Sequence, residues 1–178
     1  FGDGTAVTWI TQSDSDRGLV DLKCSTSGEN FERFIIPAGG CRMPQSEETS
    51  APNMDESSNW RSKENIYMDG MGILKFVNSR IPKQVNEILS KNKLTTEDIQ
   101  LFVFHQASKM ALDSLERLLH IPSHKVYRNL KNIGNTVSAS IPIALKDAIQ
   151  EGLLAPGDKA LLSGFGLGLS WGTALIVI

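Results

Sequence analysis

The chain reads as an α/β domain in which a mixed sheet is covered by helices. Two observations carry that assignment. Apolar runs and helical stripes follow one another as strand, helix, strand, helix, strand, strand, the order of a layered α/β domain. The stripes also recur at three- and four-residue spacing, while the runs between them are short and breaker-free. Forty per cent hydrophobic residues in 178, with a net charge of −2, are enough for a sizeable core. They are too little positive charge for a nucleic-acid partner. No apolar run reaches the roughly 18 residues of a membrane span, so neither nucleic acid nor membrane is expected as a partner.

Taken in order, Thr5-Ala6-Val7-Thr8-Trp9-Ile10 predicts a strand, being β-branched and aromatic. Leu19 to Ser27 and Phe31 to Ile36 predict two more, with Cys24 alternating with Leu22 as a packed core thiol. From Pro37 to Asn65 the composition turns to Pro, Gly, Ser, Glu and Asn, which predicts a surface loop or insertion. After Met68-Asp69-Gly70, Leu74, Val77, Ile81, Val85, Ile88 and Leu89 form one helical stripe, which Pro82 kinks or divides. Thr95-Thr96-Glu97-Asp98 caps a short helical turn. Leu101-Phe102-Val103-Phe104 is a short buried strand. Lys109 to Leu119 is a helix whose buried face carries Met110, Ala111, Leu115, Leu118 and Leu119. Val126-Tyr127 is a short strand, and a third helix starts near Ser140 with Pro142 in its first turn and ends at Gly152. Ala160 to Ser163 and Thr173 to Ile178 are strands joined by a glycine segment.

The chemistry gathers between Leu101 and Ser140. A strand that ends on His105 puts an imidazole at a sheet's carboxyl edge, where open α/β sheets bind ligands. Thirty positions on, Gly134-Asn135-Thr136 is a turn able to aim a carboxamide. Read singly, such a histidine is ordinarily a hydrogen-bonded structural residue and such a turn an ordinary turn. Together they describe a place that holds a negative oxygen. Gly164-Phe165-Gly166-Leu167-Gly168 has no register with G-x-G-x-x-G spacing and is followed by a strand, so it is not a nucleotide loop. It is a tight hairpin whose glycines let backbone amides face a cavity. His120 and His124 lack any comparable context and are read as surface residues. Cys24 and Cys41 make neither a metal spacing nor a disulfide framework, which suits a reducing cytoplasm.

Phe104-His105-Gln106-Ala107, Asn132 to Pro142 and Gly164 to Gly172 resemble the carboxyl-terminal half of β-ketoacyl-acyl-carrier-protein synthase III, of the thiolase superfamily. Phe1-Gly2-Asp3-Gly4 resembles a segment just beyond the middle of the full enzyme. The resemblance implies a thiolase-like layered fold, with residues 1–36 as the last strands of the amino-terminal half, 37–65 as a loop or insertion and 66–178 as the carboxyl-terminal half. It implies that His105 and Asn135 are the catalytic pair and that the backbone N–H of Leu167 serves the oxyanion, where many relatives carry glycine. Lys75, Lys109 and Arg117 match a basic surface that docks the carrier. The family's Gln-Ala-Asn-x-Arg is here Gln106-Ala107-Ser108-Lys109-Met110, so the docking arginine is replaced by methionine.

The implied substrates are acyl-coenzyme A and malonyl-acyl-carrier protein, joined by decarboxylative Claisen chemistry, with no cofactor and no metal. The nucleophilic cysteine would lie upstream of Phe1, in the other half, because neither Cys24 nor Cys41 has the strand-to-helix context that lowers a thiol pKa. The chain, which starts without methionine, then reads as a fragment that is inactive alone. The helix bearing Met110, Leu115 and Leu118 and the strand Ala174 to Ile178 would offer apolar surface to the missing half or to a homodimer partner. Two other readings stand beside this one: a divergent acyltransferase that does not decarboxylate, and a non-catalytic partner subunit.

Overall fold

A four-stranded mixed sheet, with helices on both faces, forms the centre of the computed structural model, which describes residues 1–13 and 15–178. The elements run β1 (Gly18–Thr26), β2 (Phe34–Ile35), α1 (Glu47–Ser50), β3 (Asn53–Met54), β4 (Trp60–Arg61), β5 (Tyr67–Met68) and α2 (Gly70–Lys91). They continue as β6 (Leu101–Phe104), α3 (Lys109–Leu119), α4 (Leu130–Ile133), α5 (Ser140–Gln150), β7 (Lys159–Gly166) and β8 (Ser170–Val177). The main sheet has the order β1-β8-β7-β6. Its β6–β7 pair is parallel, and β7–β8 and β8–β1 are antiparallel.

The pleat of β6 explains how four apolar residues in a row are accommodated. Phe102 and Phe104 join Phe76, Val77, Ile81, Val85, Ile88, Leu112 and Leu115 in the core beneath α2 and α3. Leu101 and Val103 point the other way and pack with Ala144, Ala148 and Ala160 beneath α5. Strand side chains alternate, so a strand covered on both faces must be apolar throughout. Asp69 caps α2 by accepting from the Gly72 N–H at 2.8 Å. Pro82 lies inside α2 without ending it. No helix is long and apolar enough to cross a membrane among the described residues.

Several expectations change. Thr5 to Ile10 forms no strand: it runs beside α5, and Val7, Trp9 and Ile10 are almost fully exposed. An isolated segment has no ladder to satisfy its backbone, so β propensity alone does not make it a strand. Phe31 to Ile36 begins in a 3₁₀ turn, Gly28–Arg33, and only Phe34–Ile35 is strand, β2. Val126–Tyr127 reduces to one parallel bridge to Phe102. Cys24 is exposed, because β1 is an edge strand with little covering it, and Leu19, Val20 and Leu22 are exposed beside it. Within 37–65 the chain holds α1, with a Ser46–Thr49 capping box, and the β3–β4 hairpin.

On α3 the apolar stripe is rotated from the expected one. Ala111, Leu112, Ser114, Leu115 and Leu119 are buried, whereas Met110 and Leu118 face outward. Leu115 and Leu175 belong to the core, so neither adds to an exposed surface. Leu115 is 0% exposed and Leu118 43%. Leu115→Ala should therefore lower unfolding stability by roughly 2–5 kcal/mol. Leu118→Ala should stay within about 0.5 kcal/mol of the parent. Urea titrations of both variants check the rotation, and equal losses would contradict it.

Candidate active site

His105 follows β6 directly. Its backbone N–H donates to Ser163 O at 2.8 Å, adding one rung to the parallel ladder and fixing where the imidazole leaves the sheet. The ring packs edge-on against Phe165 of β7, with centroids 5.4 Å apart. Nδ1 lies 2.6 Å from the hydroxyl of Ser140, the first residue of α5. Nε2 is the other end of the ring. Burial pushes the imidazole below its ordinary value, which keeps it neutral at pH 7.

Gln106, fully buried, ties the histidine's strand to the segment that leads to Asn135. Its amide nitrogen donates to Phe104 O and Tyr127 O, and its amide oxygen accepts from the Asn129 N–H. Buried polar groups cost little only when paired, and all three contacts pin the same crossing. Ser108 then caps α3 by accepting from the Ala111 N–H.

Asn135 stands in the loop between α4 and α5. Its Oδ1 accepts from the Val137 N–H at 2.9 Å, which settles the amide's orientation. Nδ2 donates to Ala107 O at 3.4 Å, two residues past His105, and has a second proton to offer. The loop is held tightly. Val137 has φ +53, which costs a β-branched residue on the order of 1–3 kcal/mol. Gly2 crosses it closely, donating its N–H to Asn135 O at 2.9 Å. A Cβ at Gly2 would sit 1.9 Å from Ile133 O, and one at Gly134 would meet Gly2 N at 3.2 Å. Only glycines permit that approach.

Leu167 begins the 3₁₀ turn between β7 and β8, two residues past Phe165, with its side chain exposed. His105 and Asn135 are thus linked through the Ala107 turn, and Leu167 belongs to the hairpin whose Phe165 touches the histidine. Cys24 and Cys41 are both exposed and free.

Of the basic residues, Lys75 is on α2, and Lys109 and Arg117 are on α3. Lys109, Arg117 and Met110 line a shallow groove between α2 and α3 with Leu74, Asn78 and Asp113. Lys109 is paired with Asp113, which also receives Arg128 at 2.7 Å. Lys75 and Arg117 are exposed and have no ion partner among the described residues. His120 and His124 are exposed as well. Ser140, Gln106 and Phe165 were not singled out as site residues from the sequence. No short-range pattern joins a serine to a histidine 35 positions earlier, and only the packing of α5 across β6 brings them together.

Residues 89–178 match the family described as 3-oxoacyl-[acyl-carrier-protein (ACP)] synthase III C terminal. Beta-ketoacyl-[acyl-carrier-protein] synthase III of Fusobacterium nucleatum is 36% identical over 177 residues, covering 99% of this chain and 51% of that protein. The enzyme of that name from Natranaerobius thermophilus is 38% identical over 180 residues, covering 99% of this chain and 52% of its own length. A crystal structure of 3-oxoacyl-(acyl-carrier-protein) synthase III superposes with a TM-score of 0.89 at 32% identity, over 95% of this chain and 50% of that one. The synthase III from Thermus thermophilus superposes with a TM-score of 0.79 at 29% identity, over 95% of this chain and 49% of its own. The thiolase-like layering expected from the motifs is that of these structures, and the chain spans about half the length of the curated relatives it matches. It belongs to the 3-oxoacyl-[acyl-carrier-protein] synthase III family, of which it is a carboxyl-terminal half.

Proposed function

We propose that the chain supplies the decarboxylating half of a synthase III-type active site. The observation that carries this reading is a half-buried His105, held between Ser140 and Phe165, whose neighbouring turn holds the Asn135 amide through Ala107 O. An upstream cysteine takes an acyl group from a coenzyme A thioester. The malonyl thioester of a carrier protein then places its carbonyl oxygen at Nε2–H of His105 and Nδ2–H of Asn135. The bond from the malonyl α-carbon to its carboxylate breaks, carbon dioxide leaves, and the electron pair becomes an enolate whose oxygen both donors stabilise. The α-carbon attacks the acyl-enzyme carbonyl, whose developing oxyanion accepts from the Leu167 N–H. Collapse returns the electron pair to the cysteine sulfur. Neither donor needs a positive charge, and an aspartate at 135 would repel the enolate.

Losing one preorganised donor of this kind typically costs about 2.7–4 kcal/mol of barrier, roughly a hundredfold or more in rate. In the full-length protein, His105→Ala and Asn135→Ala are therefore expected each to cut release of carbon dioxide from malonyl carrier by at least that factor. Acylation of the upstream cysteine should stay measurable. Undiminished condensation in either variant would remove that residue from the assignment.

A second reading keeps the fold and drops decarboxylation. Met110 occupies the place of the docking arginine, and Lys109 is neutralised by Asp113, so the surface that would receive an acidic carrier is weakened. Lys75 and Arg117 remain as its cations without an ion partner among the described residues. Charge reversal at Lys75 or Arg117 should raise KM for malonyl carrier with strong salt dependence while leaving coenzyme A acylation nearly unchanged. Reversal at Lys109 should do less, because its charge is already offset. Equal effects on both substrates would favour coenzyme A thioesters as donors, or a non-catalytic partner role if no carbon dioxide is released.

The chain by itself is proposed to be inactive and self-associating, in a reducing cytoplasm. Leu19, Val20 and Leu22 of β1 and Val7, Trp9 and Ile10 are exposed together with an edge strand that has no outer partner among the described residues. A few hundred Å² of such surface amounts to several kcal/mol at about 25 cal/mol per Å², and pairing with a second copy is the simplest cover. Sedimentation of the isolated chain should give a dimer or larger species, and intact mass after incubation with acetyl coenzyme A should be unchanged. A stable monomer, or one acyl group gained on Cys24 or Cys41, would refute the respective part.

A further inference from the structure

We infer that Ser140 is a positioning residue that fixes the tautomer of His105, and thereby decides which ring nitrogen donates to substrate; the inference rests on the role proposed for His105. Ser140 is fully buried, so its hydroxyl proton needs an acceptor inside the protein. Two contacts reach its Oγ among the described residues. One is the Gln106 N–H, at 3.5 Å, which can only donate. The other is His105 Nδ1 at 2.6 Å. If Nδ1 carried the ring proton, Oγ would face two donors and its own proton would be left without an acceptor in a dry site. An orphaned buried hydroxyl is costly, typically about 1–3 kcal/mol. The arrangement that satisfies every group has Ser140 donating to an unprotonated Nδ1. The neutral imidazole then carries its proton on Nε2, the end not engaged by α5.

That assignment gives Ser140 a role in the reaction that its distance in sequence conceals. Its place at the start of α5 sets the hydroxyl on a rigid element, and the Gln106 crossing holds His105 on another. The pair works as a donor only when the proton is on the nitrogen turned toward substrate. With the hydroxyl removed, the ring exchanges between its two neutral forms. The unproductive form presents a lone pair to the enolate oxygen and repels it.

The test uses the full-length protein with ¹⁵N-labelled histidine, its signals assigned by difference against His105→Ala. At pH 7 the wild type should show His105 with an unprotonated Nδ1 and a protonated Nε2, as two well-separated nitrogen shifts. In Ser140→Ala, which is smaller and introduces no clash, the two shifts should move toward each other. The same variant should lose tenfold or more in kcat for decarboxylation, with KM for malonyl carrier and the rate of cysteine acylation little changed. A protonated Nδ1 in the wild type, or nitrogen shifts in Ser140→Ala identical to the wild type, would overturn the inference. So would equal loss of acylation and decarboxylation, which marks general damage to the fold. Should His105→Ala itself keep decarboxylating, the proposed function fails, while the nitrogen shifts still report independently whether Ser140 sets the tautomer.

Discussion

The site depends on where a parallel ladder stops. β6 and β7 pair from Leu101↔Ala160 to Phe104↔Ser163, and the His105 N–H adds a last bond to Ser163 O. Parallel strands end together at one edge, and their carboxyl ends open onto the space where the chain turns away. One more residue in the ladder would turn the imidazole to the other face, because side chains alternate with each step. The core makes such a slip expensive. Phe102 and Phe104 on one face and Leu101 and Val103 on the other each fill a packed layer, so a shift by one would exchange the two sets.

That constraint was readable in advance because it is local. Four apolar residues followed by His-Gln-Ala identify a strand and its end without reference to anything distant. The family motifs were likewise contiguous, and they led to the fold. What escaped the sequence depends on covering layers. A helix advances 100° per residue, and α3 carries apolar side chains at 110, 111, 112, 115, 118 and 119, enough to make a stripe in either of two rotations. The choice between them is made by α2 and β6. Cys24 failed for a related reason: alternation on β1 says which residues share a face, not whether anything lies over it. Thr5 to Ile10 has strand composition, but a strand is a pairing before it is a propensity.

Electrostatics divides the molecule into two regimes. At His105 the dominant effect is desolvation, which disfavours the charged imidazole. On α3 the effects are exposed pairings in series, Lys109 with Asp113, Asp113 with Arg128, and Arg128 with Glu116. Such surface pairs contribute little individually to stability. Their consequence lies in which cations remain free to meet a partner. Spacing alone would count Lys109 among them, and only its geometry against Asp113 takes it out.

Asn135 is positioned less securely than His105, and by different means. The histidine is set by a ladder, by Phe165 of β7 and by Ser140 of α5, whereas the asparagine sits in a loop strained at Val137 and clamped by Gly2. A loop conformation that costs on the order of 1–3 kcal/mol persists only if its surroundings repay it. Here the repayment is visible as three hydrogen bonds: Val137 N–H to Oδ1, Nδ2 to Ala107 O, and Gly2 N–H to Asn135 O. The first two orient the amide and the third fixes its backbone. The Gly2 contact comes from the arm Phe1–Gly4, which no strand of the main sheet pairs with. His105 is therefore held by the sheet and the backbone of Asn135 by the arm, while the contact of the amide with Ala107 O joins the two.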